Sequence, residues 1–139
     1  MAAAVGQIEA VTRQNRHYRH VIFTAQHSQL VVMCLQPGER TGSDAHTGAL
    51  RYFSVESGEA CFVFEDTREK RVVGRGERLL VPRGMVHHVR NASETVPLKF
   101  YSIVSPPTCA DATLHRTQAE ADAAARAEVG LGARFTPIE

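Results

Sequence analysis

The sequence predicts an all-β fold, a double-sheet jelly-roll barrel followed by one helix, and three observations carry that expectation. Short runs rich in Val, Ile, Leu and Phe recur along the chain with turn residues between them, as in antiparallel strands. Gly76, Pro82 and Gly84 bracket the apolar run Leu79-Leu80-Val81, so one strand stops at the proline and the next starts after a tight turn. After Thr117 the period changes, and an Ala-rich run of high helix propensity replaces alternation. About eight antiparallel strands with few long connections favour a closed jelly roll over an open sheet.

Taken in order, residues 1–17 read as an N-terminal arm. Strands are expected at 19–24 and 29–35. Strands at 51–56 and 59–65 flank Gly58. In Cys61-Phe62-Val63-Phe64 both faces are apolar, and Glu65-Asp66-Thr67-Arg68 is a polar break that reads as a hairpin loop. Further strands are expected at 70–73, 77–81, 86–91 and 98–104, the last alternating visibly in Leu98-Lys99-Phe100-Tyr101. Thr117-x-x-Glu120 is a capping box for a helix over 119–129 that Gly130 stops. Its alanines offer only a shallow apolar face, so the helix is expected to pack outside a sheet and add little to a site. The tail beyond it carries Phe135 and Ile138, which would anchor on this chain or on a partner. The division is an arm at 1–17, a barrel at 18–107, and a loop, helix and tail at 108–139.

Two motifs identify a family. Gly76, five residues, Pro82-x-Gly84, two residues, His87, three residues, Asn91 matches every fixed position of the second cupin motif. The first cupin motif is laid out as Gly38, Asp44, His46, Arg51 and Gly58, keeping both glycines and one His. The chain most resembles small single-domain cupins of the kind labelled mannose-6-phosphate-isomerase-like, which carry Glu-x-His and then Gln in that motif. The likeness includes Gln29 to Glu39, Leu98 to Pro107 and His115-Arg116-Thr117, and extends from about Tyr18 to Ala124. Between them Thr108-Cys109-Ala110-Asp111-Ala112 replaces the Glu-His-Pro-Asp-Gly that relatives resemble. The resemblance implies an RmlC-like barrel, a homodimer, and a divalent metal for which His87 is an inward ligand while His88 points outward.

At 139 residues the chain suits one domain, and its net charge of +1 gives no push toward nucleic acid or anionic membrane. The longest apolar runs fall far short of the ~20 residues that span a bilayer. The expected setting is cytoplasmic, with no nucleic-acid or membrane partner. Cys34, Cys61 and Cys109 are an odd number at unrelated spacings, which argues against a disulfide framework. His17, His20 and His27 are expected in solvent-facing or interface roles, and Asn91 in satisfying backbone groups at a strand end.

The chemistry rests on Asp44, His46, Arg51 and His87. Asp44 and His46 are two apart, so on an extended segment they face the same way. With His87 they make one carboxylate and two imidazoles, a set that suits Fe, Mn, Ni or Zn with open positions. Arg51 stands where the family places Glu or Gln, and a guanidinium offers only donors and cannot ligate a cation. Like charges at ~4 Å repel by roughly 4 kcal/mol at a protein-like dielectric. One resolution pairs Arg51 with Asp44 and leaves His46 and His87 as an incomplete site. Another has Arg51, flanked by His46 and His87, bind a carboxylate or phosphate ester. Three functions follow: a degenerate metal site that binds a small polar or anionic molecule, a metal-dependent isomerase, dioxygenase or decarboxylase, or a non-catalytic structural module.

Overall fold

A computed structural model of the chain describes residues 6–42 and 48–130. Within them the chain runs α1 (Ile8–Gln14), β1 (Arg19–Thr24), β2 (Gln29–Leu35), β3 (Leu50–Ser57), β4 (Glu59–Phe64), β5 (Lys70–Gly74), β6 (Arg78–Val81), β7 (His87–Asn91), β8 (Leu98–Ser105), β9 (Leu114–His115) and α2 (Gln118–Gly130). A six-stranded sheet in the order β6-β3-β8-β2-β1-β9 faces a three-stranded sheet, β5-β4-β7. Every described pairing of strands is antiparallel. The expected jelly roll with a helix after it is the observed architecture.

Register fixes which residues meet inside. Gln29, Val104, Arg51 and Val81 lie directly opposite one another across β2, β8, β3 and β6, and Val31, Ser102, Phe53 and Leu79 form the next inward row. Between these rows Phe23, Leu30, Ile103, Tyr52 and Leu80 form a row on the outer face, because successive side chains alternate. Phe53 ties the two sheets together, its ring 4.8 Å from Phe62 of β4 and 5.8 Å from Phe100 of β8. Phe62 and Phe100 are fully buried, each contributing roughly 1.5–3 kcal/mol.

The motif glycines Gly38, Gly58, Gly76 and Gly84 all adopt positive φ, from 81° to 89°. Gly58 is the most constrained, since a Cβ there would lie 2.5 Å from the Pro97 carbonyl oxygen. Asn91 binds the strand end as expected, donating from Nδ2 to the carbonyls of Leu35 (3.0 Å) and Val96 (2.9 Å) and accepting from the Ser93 N–H (2.8 Å).

Two short elements depart from the sequence reading. The segment expected as an arm contains α1, seven residues with no side-chain cap at Gln7, too short to be stable alone. It is held by packing: Thr12 is fully buried, the Lys99 ammonium donates to the Arg13 carbonyl (2.7 Å), and Arg13 pairs with Glu56 (3.9 Å). β9 is two residues long, below the length at which alternation registers, and lies against Arg19 and His20. It covers the start of the β1 edge, where Val21 also donates to the Thr113 carbonyl (2.8 Å).

Candidate functional site

Between the sheets, at the end where β9 and α2 close over the barrel, lies a cavity of about 600 Å³. This is the size of a small-molecule site. Its floor is apolar, from Val31 and Met33 of β2, Phe100 and Val104 of β8, and Phe53 of β3. Onto that floor project two guanidinium groups, Arg51 and Arg19, and two imidazoles, His87 and His115. Asp122 on α2 is the sole carboxylate among the described lining residues.

His87 comes from the small sheet and Arg51 from the large one. Gly84 turns the chain and β7 then alternates, sending His87 inward between Phe53 (5.8 Å, edge-on) and Phe64 (6.2 Å) with only 4% exposure. Its Nδ1 lies 2.9 Å from the Met85 carbonyl, which can only accept. In the neutral ring Nδ1 therefore carries the proton and Nε2 the lone pair. His88 does not line the cavity; it is buried against the outer side, its Nδ1 3.2 Å from Glu65. Arg51 donates from Nη2 to the Thr108 hydroxyl (3.4 Å), which ties it to the loop after β8.

That loop is held over the cavity by Gln29. The side chain, 1% exposed, donates to the Cys109 carbonyl (2.9 Å) and to the Thr24 hydroxyl (2.9 Å), and accepts from the Cys109 N–H (3.2 Å). Cys109 lines the cavity beside Ala110, and all three cysteines are free. Burial pushes the Cys34 thiol above its ordinary value.

Arg19 was not singled out by sequence. It shares an inward face with Val21, whose apolar character was the available signal. Its guanidinium lies 5.4 Å from the Tyr18 ring and donates from Nη1 to His115 Nδ1 (3.4 Å). Tyr18 is buried and donates its hydroxyl to the Arg40 carbonyl (2.7 Å); burial raises its pKa to about 12.

The expectation that the last helix stays clear of the site is corrected. Ala121, Asp122, Ala124 and Ala125 line the cavity. The small side chains that make a poor apolar face let the helix lie close across the opening, and its start is fixed there directly after β9. The Glu120 N–H donates to the Thr117 hydroxyl (3.2 Å), and the Glu120 carboxylate accepts from the Arg116 N–H (2.8 Å) rather than from Thr117 itself. Gln118 accepts from the Arg40 N–H (2.9 Å), joining the helix to the turn after β2.

Of the four site residues expected from sequence, the structure brings Arg51 and His87 to one cavity. Asp44 and His46 lie outside the described residues. Among the described residues no group of three or more His, Cys, Asp or Glu is placed to hold a metal. Nor is any described helix long and apolar enough to cross a membrane.

A barrel of two antiparallel sheets enclosing a cavity is a jelly roll. The cupin domain profile matches residues 31–104, more than half of the sequence, and the chain belongs to the cupin family. Over 124 residues it is 33% identical to the uncharacterized protein YrkC of Bacillus subtilis (strain 168), covering 86% of this chain and 66% of that one. The crystal structure of BH2720 from Bacillus halodurans is 33% identical with a TM-score of 0.83, covering 88% of this chain and 95% of that one. An RmlC-like cupin with a double-stranded β-helix fold from Methanocaldococcus jannaschii, 20% identical with a TM-score of 0.57 over 68% of this chain and 84% of that one, shares the fold. The chain spans just under two thirds of the curated relatives it matches, 66% of one and 64% of another.

Proposed function

We propose that this cupin binds a small anionic molecule in the barrel cavity through Arg51 and His87. The observation that carries the proposal is that these two side chains, one from each sheet, line the same apolar-floored cavity. A guanidinium beside a carboxylate or phosphate gains from low local dielectric and from its forked donors. The test is calorimetric titration of metal-free protein with small carboxylates and phosphate esters, alongside neutral molecules of equal size. Binding of anions that Arg51→Gln weakens about tenfold or more supports the proposal; equal binding of neutral molecules, or no effect of Arg51→Gln, overturns it.

A metal-dependent reading is favoured by one observation, the Met85 contact that leaves Nε2 of His87 as its lone-pair nitrogen. The described residues alone do not fit a metal, since no three His, Cys, Asp or Glu among them are grouped to hold one, and Arg51 shares the cavity with His87. That reading needs Asp44 and His46 to complete the set, with Arg51 orienting an anionic substrate for isomerase, dioxygenase or decarboxylase chemistry. Elemental analysis of untagged protein decides between the two. Stoichiometric Fe, Mn, Ni or Zn in the wild type supports the enzyme, and metal taken up only by Arg51→Gln supports a degenerate site.

The same proposal includes a homodimer and a cytoplasmic setting. Three free cysteines suit a reducing compartment. The outward row Phe23, Leu30, Ile103, Tyr52 and Leu80 crosses the large sheet with Leu80 56% exposed. A second copy of this chain covers it, as the likeness to small cupins implies.

A further inference from the structure

We propose that Arg19, oriented by His115, is a second anion anchor, so that the ligand carries an acidic group at each end. This rests on the anion-binding reading of the cavity and adds the class of ligand. Arg19 and Arg51 both line the cavity but enter it from different strands. Arg19 is in register with Met33 on β2, whereas Arg51 is in register with Val104 and, through it, with Gln29. The two are thus separated by β2 and β8 across the sheet and by the distance from Gln29 to Met33 along it. At ~4.8 Å per strand and ~3.4 Å per residue, that is roughly 20 Å between backbones on a flat sheet. Both side chains nonetheless line the one cavity, so a single ligand that reaches both carries an acidic group at each end.

The second point concerns charge. Arg19 is half-buried, and no carboxylate among the described residues forms an ion pair with it. Its contacts are the His115 ring and the Tyr18 face. Both leave the positive charge uncompensated, and a charge withdrawn from water without a counter-charge is costly. They fix the guanidinium plane, though, because Tyr18 is itself anchored at Arg40 and His115 is held in β9. A preset, uncompensated guanidinium facing a cavity fits an incoming carboxylate or phosphate. The ligand class is a small dianion such as an α,ω-dicarboxylate or a phosphorylated carboxylic acid.

The full-length protein is titrated by calorimetry with dicarboxylates from malonate to suberate, with phosphoglycolate, and with the matching monocarboxylates. The wild type is expected to bind one length of dianion about tenfold or more tighter than its monoanion. Arg19→Gln removes that preference, lowering dianion affinity about tenfold or more toward that of the monoanion, and Arg19→Lys, which keeps the charge but not the fork, retains part of it. Thermal melts of both variants report folding. A dianion preference that survives in Arg19→Gln, or a wild type that binds mono- and dianions equally, overturns the second anchor while the single-anion reading stands. A wild type that binds no anion at all overturns both.

Discussion

Gln29 and Cys109 clasp each other through both faces of an amide: the side-chain Nε2 donates to the Cys109 carbonyl at 2.9 Å and the Cys109 N–H donates to Oε1 at 3.2 Å. The two are far apart in sequence, and the clasp is what seats the loop bearing Thr108 and Cys109 over the cavity. Gln29→Leu keeps the volume and strands both backbone groups, so a loss of about 2–3 kcal/mol is expected in urea unfolding. Faster amide exchange confined to residues 106–113 would locate the effect, whereas uniform exchange would place the role of Gln29 in the core instead.

Gly58 combines φ of +81° with a Cβ position 2.5 Å from the Pro97 carbonyl oxygen. Gly58→Ala therefore has to move backbone, not merely a side chain. A loss of about 2 kcal/mol or more is expected from the denaturation midpoint. A neutral result would mean that the β3–β4 turn is looser than its geometry here.

Tyr18 gives a pH signature. Its pKa is raised to about 12 by burial, so the neutral phenol is favoured in the folded state over the unfolded one. The stability this contributes is complete below pH ~10, the unfolded value, and is lost as pH rises through the folded value. Urea unfolding from pH 9 to 11.5 is expected to show falling stability in the wild type and a shallower fall in Tyr18→Phe. Parallel curves would show that Tyr18 ionises as freely folded as unfolded.

Much of the fold was legible in the sequence because its determinants are local. The proline and glycines around Leu79-Leu80-Val81 set a turn whose alternation sends His87 inward, and the Thr117-x-x-Glu120 box set the helix start. What escaped was decided by tertiary contact: α1 exists because it packs on β2, β3 and β8 with Thr12 buried, and β9 because Arg19 and His20 offer an edge. The site was half legible. Arg51 stood out by replacing an expected ligand, while Arg19 was not singled out until register placed it on the Val21 face.

Asp122 is the sole carboxylate among the described cavity-lining residues, and it is exposed. Asp122→Asn is expected to raise anion affinity about two- to fivefold at low salt, with the gain shrinking as ionic strength rises. Calorimetry at two salt concentrations checks this. Unchanged affinity at low salt would put the bound anion away from α2.

The outward apolar row makes a separate claim about assembly. Ile103→Glu places a charge at its centre, opposite Leu30 and Tyr52; the proposed dimer is expected in sedimentation velocity for the wild type and a monomer for the variant, with the melting profile of the barrel unchanged. A variant that stays dimeric would move the interface elsewhere.

The most direct measurement is a crystal structure of metal-free protein grown with the tightest-binding small anion. Density for that anion inside the barrel, bonded to the Arg51 guanidinium and within reach of His87, is the expected result. An anion seated only on the outer surface, or a metal ion on His87 with Arg51 turned away from the cavity, would contradict it.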